Sequence, residues 1–346
     1  MPRRGTRSEE RGSAGEPEGV VLVADPGAPL ALARHVQDRL QWDVSVVCRR
    51  LPADDLDQIR VPDDVSVDEG HVAVLLTDHP RRHGLHPVVA EVETETATGL
   101  VSLPSLGAIR FRERATQAVE RVVGELCGEP SGGAVGPFPR EDGPPVRFVT
   151  GGRHGRLRMV SGMVRANRPW RLLPHLSKAF AAALAVLAYE MLNQTIWQLS
   201  GTLGAGRLGL AAVLAIATLV AWLIIDHQMW ERPDDQDERD LAVLFNVTTV
   251  ATLLIGVLFL YVGLLVIGFV VDLVLVDSGL VSSVTREPVT LAHRASLLCL
   301  VASIATVGGA LGTGFESDEA VRQAAYGFRQ RERLERDAPR RSDQEQ

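Results

Sequence analysis

Three groups of residues carry side chains suited to chemistry. The first is the run Thr77-Asp78-His79-Pro80-Arg81-Arg82-His83-Gly84-Leu85-His86, which follows the apolar stretch VAVLL. Asp78, His79, His83 and His86 are of zinc-ligand type, but a metal needs such atoms to converge on one point at about 2.0–2.2 Å. Pro80 and Gly84 prevent the regular helix that would align them, so no metal is expected. Arg81 and Arg82 suit an anion or an acidic partner, and the plain alternative is a solvated loop. The second group is Asp25, in Ala24-Asp25-Pro26-Gly27 at the end of the apolar stretch VVLVA. Ligands of open α/β sheets bind at the carboxyl ends of strands, and both groups occupy such ends. Neither has a GxGxxG pattern, which excludes a dinucleotide fingerprint. The third group is Glu190, Asn193 and Gln194, inside a long apolar run. Spacings of three and four put them on one helix face. A carboxylate at a bilayer centre costs roughly 2.5–3.5 kcal/mol on insertion scales, so Glu190 is either a proton or ion site or part of an interhelical hydrogen bond. Asn246 and Asp272 are its candidate partners.

The elements that must position these groups differ sharply along the 346 residues. Hydrophobic residues make up 46% and charged residues 23%, with a net charge of -7, averages that would suit a soluble protein. They conceal a polar first half and a second half built of apolar runs, so neither a purely soluble protein nor a disordered chain is expected. Lys178 is the single lysine, and it does not follow a glycine-rich loop, which excludes a Walker A phosphate site. Cys48, Cys127 and Cys299 are far apart and match no zinc or CxxC spacing. The arginine-bearing N-terminus has no apolar stretch behind it, so no cleavable signal is expected.

Residues 1–18 read as a disordered tail and 19–128 as an α/β domain. Apolar strands are expected at 20–24, 44–47 and 72–76, with a hairpin over 88–92 and 100–103. Helices are expected at 30–40, 54–59 and 109–126. Strands alternating with helices predict a mostly parallel, Rossmann-like sheet. Residues 129–175 read as a Gly/Pro-rich linker followed by a basic juxtamembrane segment. The part over 146–175, with Trp170, is expected either to lie on anionic lipid of the inner leaflet or only to set topology.

Residues 176–312 are expected to form an all-α bundle of four transmembrane helices, near 177–199, 208–225, 250–271 and 295–312. Arginines cluster before the first span and after the fourth, which predicts a multi-pass protein of the cell (inner) membrane with both termini cytoplasmic. No helix break or internal repeat of the transporter kind is expected. The fourth span ends in Gly308-Gly309-Ala310-Leu311-Gly312, a close-packing seam. Residues 313–346 should form a cytoplasmic amphipathic helix, over 316–336, and a tail.

Several stretches carry a resemblance: VAVLLTDHPRRHGLHPVVAEV, GLVSLPSLGAIRFR, RPWRLLPHLSKAFAAALA and GALGTGFESDEAVRQAAYGFRQRER. Together they resemble a family of actinobacterial membrane proteins without an established activity. The resemblance covers about 20–336 and implies a cytoplasmic α/β domain followed by spans; it supplies no catalytic residues and no cofactor. Gly132-Gly133-Ala134-Val135-Gly136-Pro137 is similar to the PGGVGP stretch of methylenetetrahydrofolate dehydrogenase/cyclohydrolases. The YxxxK pair of those enzymes has no counterpart here, and the glycines read as linker composition.

The expectation is a membrane-tethered binding or regulatory module for a cytosolic ligand or protein, with no nucleic-acid role. The alternatives are an enzyme acting through Asp25, Asp78 and the nearby histidines, or a small conduit through Glu190.

Overall fold

The computed structural model describes residues 17–52, 58–68, 70–84, 86–128, 138–231, 239–276, 278–285 and 290–314. Residues 1–16 of the tail expected over 1–18, the Gly132–Pro137 stretch and the helix over 316–336 lie outside the described residues. The chain divides into two compact units, residues 1–163 and 164–346.

In the first unit, β1 (Gly19–Ala24) leads through a tight turn into α1 (Ala28–Gln37) and then β2 (Val44–Cys48). Next come β3 (His71–Thr77), β4 (Arg81–His83), β5 (His86–Glu93) and β6 (Thr98–Ser102). A short 3-10 turn, Leu103–Leu106, precedes α2 (Phe111–Leu126), and β7 (Arg140–Glu141), β8 (Val146–Val149) and the helix α3 (Gly152–Asn167) follow. The order across the sheet is β2-β1-β3-β6-β5-β8-β7, with β4 paired to β5. The pairs β2–β1, β1–β3 and β3–β6 are parallel, whereas β5 is antiparallel to β6, β8 and β4. The sheet is therefore mixed. The short turn after Glu93 returns the chain directly, and a parallel connection would need a long crossover. The expected hairpin is present as β5–β6. The sheet also continues past residue 128, because Val146–Val149 of the basic 146–175 stretch forms β8 rather than an interfacial segment.

The two faces of the sheet are covered differently. Val20, Leu22, Val74, Leu76 and Val101 pack with Leu32 and Val36 of α1 and Val119, Val122 and Val123 of α2. Their spacing of two along the strands, and of three and four along the helices, is what buries them together. Gly99 permits the close approach of α2: a Cβ there would lie 2.1 Å from Val122 Cγ1. On the other face, Val21, Val23, Leu75 and Leu100 meet Leu51, Ile59, Val61, Val65 and Val67 from the connection between β2 and β3.

The second unit is helical. A 3-10 turn, Pro169–Arg171, and α4 (Leu172–His175) lead into α5 (Ser177–Met191) and α6 (Gln194–Thr202). They are followed by α7 (Ala205–Asp226), α8 (Arg239–Leu275), α9 (Ser278–Thr285) and α10 (Leu291–Thr313). Among the described residues, α7, α10 and the 34-residue stretch Ala242–Leu275 of α8 are long and apolar enough to cross a membrane. The pair α5 and α6 passes the same test only together, and it is bent by 84°. The expected overlong third span is one unbroken helix.

α5 packs against α10 through small residues. A Cβ on Gly309 would stand 3.1 Å from Ala179 O, and one on Gly312 would stand 2.7 Å from Ala179 Cα and Lys178 O. Where the surroundings are lipid, apolar burial between helices gives little, and such close backbone approach supplies the attraction. Across the outside of the unit, Leu210, Val213, Leu214, Leu258, Val262, Val266, Phe269 and Leu273 are exposed.

Candidate functional site

The carboxyl ends of β1 and β3 lie side by side, since Ala24 pairs with Leu76. From β1 the chain leaves by α1 on one face to β2; from β2 it crosses the other face to β3. The strand order thus reverses at β1, and open α/β sheets bind ligands in the crevice at such a reversal. Two of the residue groups read from the sequence meet here. Asp25 is 5% exposed. Its Oδ2 accepts a 2.8 Å hydrogen bond from Thr77 Oγ1 and its Oδ1 a 2.9 Å bond from the Leu51 N–H. Its backbone is equally engaged: Asp25 N donates to Leu76 O, and Leu30 N donates to Asp25 O. One side chain therefore ties together β1, β3 and the segment covering the sheet. Gly27 opens α1 at φ +106, a conformation that favours glycine, and no atom lies within 4 Å of where a Cβ would stand. Asp78 follows β3, half-buried.

The remainder of the His/Arg run goes elsewhere. Pro80 and Gly84 exclude a helix, as the sequence indicates, and residues 81–83 instead form β4, with His83 opposite His86 across a turn at Gly84. His79 stays near Asp25 through its backbone: its N–H donates to Thr77 Oγ1, and its carbonyl accepts from Ser102 Oγ. Arg82, His83 and His86 are exposed. His83 Nδ1 lies 3.4 Å from Glu141 Oε2, at a shallow depression lined by His83, Gly84, His86, Glu141 and Asp142. Asp25 and Asp78 thus sit at the strand ends, while His83 and His86 sit at the hairpin tip. Among the described residues no three His, Cys, Asp or Glu side chains come together as a metal would require.

Arg81 turns inward. Its Nε and Nη2 each lie 2.9 Å from Glu91 Oε2, and Arg147 Nε lies 3.0 Å from Oε1 of the same carboxylate. Glu91 is 4% exposed, on the strand row that continues through Leu100, Leu75 and Val23. The sequence signal for this cluster is Glu91, an acid between Ala90 and Val92 inside the largely apolar strand HPVVAEVE, which by strand alternation points at one covered face.

In the second unit, Glu190, Asn193 and Gln194 do not share a helix face, because the helix ends between them. Asn193 is extended and caps α6, its Oδ1 accepting from Thr195 N. Trp197 Nε1 donates to Met191 O, satisfying a carbonyl at the end of α5. Both sides of the break are capped from within, as a helix terminus in an apolar setting requires. The signal was legible as Asn-Gln-Thr, an N-cap triplet in an apolar run. Glu190 Oε2 is shielded and has no hydrogen-bond partner among the described residues. Neither expected partner reaches it: Asn246 holds both the N–H and C=O of Glu231, and Asp272 is ion-paired with Arg294.

The comparisons with known proteins return nothing to set beside this geometry: no protein-family model, no curated protein and no solved structure matches the chain.

Proposed function

We propose that this protein is a membrane-anchored binding module, in which a cytoplasmic α/β unit takes up a ligand or partner at the ends of β1 and β3. The supporting observation is an α/β strand-order reversal, with open space at Gly27 and a half-buried Asp78, in one chain with helices long enough to span a bilayer. Binding stands ahead of catalysis because both Asp25 oxygens already accept hydrogen bonds, which makes Asp25 a brace and not a proton carrier. The bilayer is the cell membrane. The bent pair α5–α6 supplies the fourth span, and the arginine bias places both ends in the cytoplasm.

The test is purification of the full chain from native membranes, followed by mass spectrometry of co-purified ligands and cross-linked proteins. A bound species should be present in the wild type and depleted in an Asp78→Asn variant of unchanged melting temperature. An unaltered set of ligands and cross-links in that variant would refute the reading. Reporters fused to the two ends should both register the cytoplasmic side; signals from opposite sides would remove the fourth span.

A further inference from the structure

The edge of the α/β unit beyond β6 combines exposed apolar side chains with uncompensated positive charge. After the 3-10 turn, residues 107–110 run against α3. Ala108 N donates to Ser161 Oγ, and a Cβ on Gly107 would lie 2.6 Å from Arg158 Cγ and 3.5 Å from Arg114 Nη1. Ile109, next to Ala108, is 74% exposed, and Leu157, one helical turn before Ser161, is 68% exposed. Two large apolar side chains therefore project into solvent at the same edge. Arg153 and Arg156 stand exposed on the first turns of α3, and Arg112 on the first turn of α2. Arg158 and Arg114 crowd each other, and partial burial together with the Arg114 charge lowers the Arg158 guanidinium below its usual value. Nearby, Glu113 is matched by Arg110. No acidic residue occurs between Asp142 and Glu190, a stretch that includes Arg153, Arg156 and Arg158 of α3.

We infer that this edge docks on a bilayer leaflet rich in anionic lipid, with Ile109 and Leu157 entering the headgroup region and Arg112, Arg153 and Arg156 meeting lipid phosphates. The occupant follows from charge and connectivity. Basic side chains near a membrane attract anionic headgroups by about 1 kcal/mol each. Apolar side chains on a basic surface are the pattern of interfacial insertion. Met163 lies 14 positions before the start of α5 at Ser177, so the chain holds this edge within a few nanometres of the bilayer. A nucleic acid or acidic protein would match the charge but would leave Ile109 and Leu157 unexplained. The inference rests on the membrane reading above and adds that the α/β unit is seated on lipid and not merely tethered to it.

The test uses the full chain with its cysteines replaced (Cys48→Ser, Cys127→Ser, Cys299→Ala), reconstituted in nanodiscs of phosphatidylcholine alone or with about one-third phosphatidylserine. An environment-sensitive fluorophore is placed at Ile109→Cys, at Leu157→Cys, or at the exposed hairpin position Glu95→Cys. The expected result is a blue-shifted, quencher-protected signal at 109 and 157 in the anionic discs only. Arg153→Gln/Arg156→Gln should abolish it, and the probe at 95 should stay unchanged throughout. Probes at 109 and 157 that remain solvent-like in both discs would overturn the docking while leaving the membrane reading intact. So would a shift of equal size in neutral discs, or one produced by a soluble acidic polymer instead of lipid. Failure of the chain to enter either disc would overturn both.

Discussion

Thr77 Oγ1 lies 2.8 Å from Asp25 Oδ2, and this hydrogen bond joins the ends of two adjacent parallel strands at the point where the sheet order reverses. Thr77 is fully buried. Thr77→Val keeps the shape and removes one hydrogen-bond donor from a buried carboxylate. The expected loss is about 1–3 kcal/mol of stability of the α/β unit. Thr77→Ser should recover most of it. Chemical denaturation of the detergent-purified chain checks this, and equal stability of Thr77→Val and wild type would show that Asp25 is not a brace.

Glu91 accepts from Arg81 and Arg147 on one buried row of the sheet. Glu91→Leu leaves two guanidiniums facing each other with no carboxylate between them, at a cost of about 3 kcal/mol. The same substitution with Arg81 and Arg147 both replaced by Met should be much less costly, since an apolar cluster of similar volume can take the place of an ion triad. Comparing unfolding midpoints of the single and triple variants decides it.

Gly312 faces the backbone of α5 so closely that a side chain there must push the helices apart. Gly312→Val should lower the thermal stability of the helical unit by about 1–3 kcal/mol through overpacking. Gly314→Ala, whose nearest neighbour would be 3.9 Å away, should have no effect. Thermal unfolding in detergent separates the two; equal midpoints would mean that α5 and α10 do not meet at this seam.

Glu120 stands on α2 with its carboxyl pushed above the usual value by partial desolvation. The folded state therefore binds this proton more tightly than the unfolded state, and the group costs stability once the pH rises above its folded value. Glu120→Gln should raise stability slightly at pH 7, by no more than about 0.5 kcal/mol for an exposed position. The gain should vanish as the pH falls below the ordinary carboxylate range. A gain that grows on acidification would reverse the sign and exclude desolvation as the cause.

Local signals in the chain were enough for most of the elements. Apolar runs of four to seven residues flanked by Asp, Pro and Gly become β1 and β3 because a doubly covered strand must be apolar on both sides. Long uncharged runs become α7, α8 and α10 because only a helix closes its own hydrogen bonds in an apolar surrounding. Pro80 and Gly84 are enough to deny the histidines a common helix face.

Sequence spacing alone also put Glu190 and Asn193 on one helix face. Spacing presumes an unbroken helix, whereas Asn193 Oδ1 accepts from Thr195 N and Trp197 Nε1 donates to Met191 O, local bonds that hold the bend. By contrast, Asp25 and Thr77 are 52 positions apart and Glu91 and Arg147 are 56 apart. What the sequence determined by itself was the division into an α/β part and an apolar helical part, because that follows from burial against water or lipid residue by residue. What only the tertiary structure decided was the mixed direction of the sheet and the pairing of Asp25 with Thr77 and of Glu91 with Arg81 and Arg147. Each of these depends on which distant segment arrives alongside, and that is fixed by strand order and register, which no local pattern encodes.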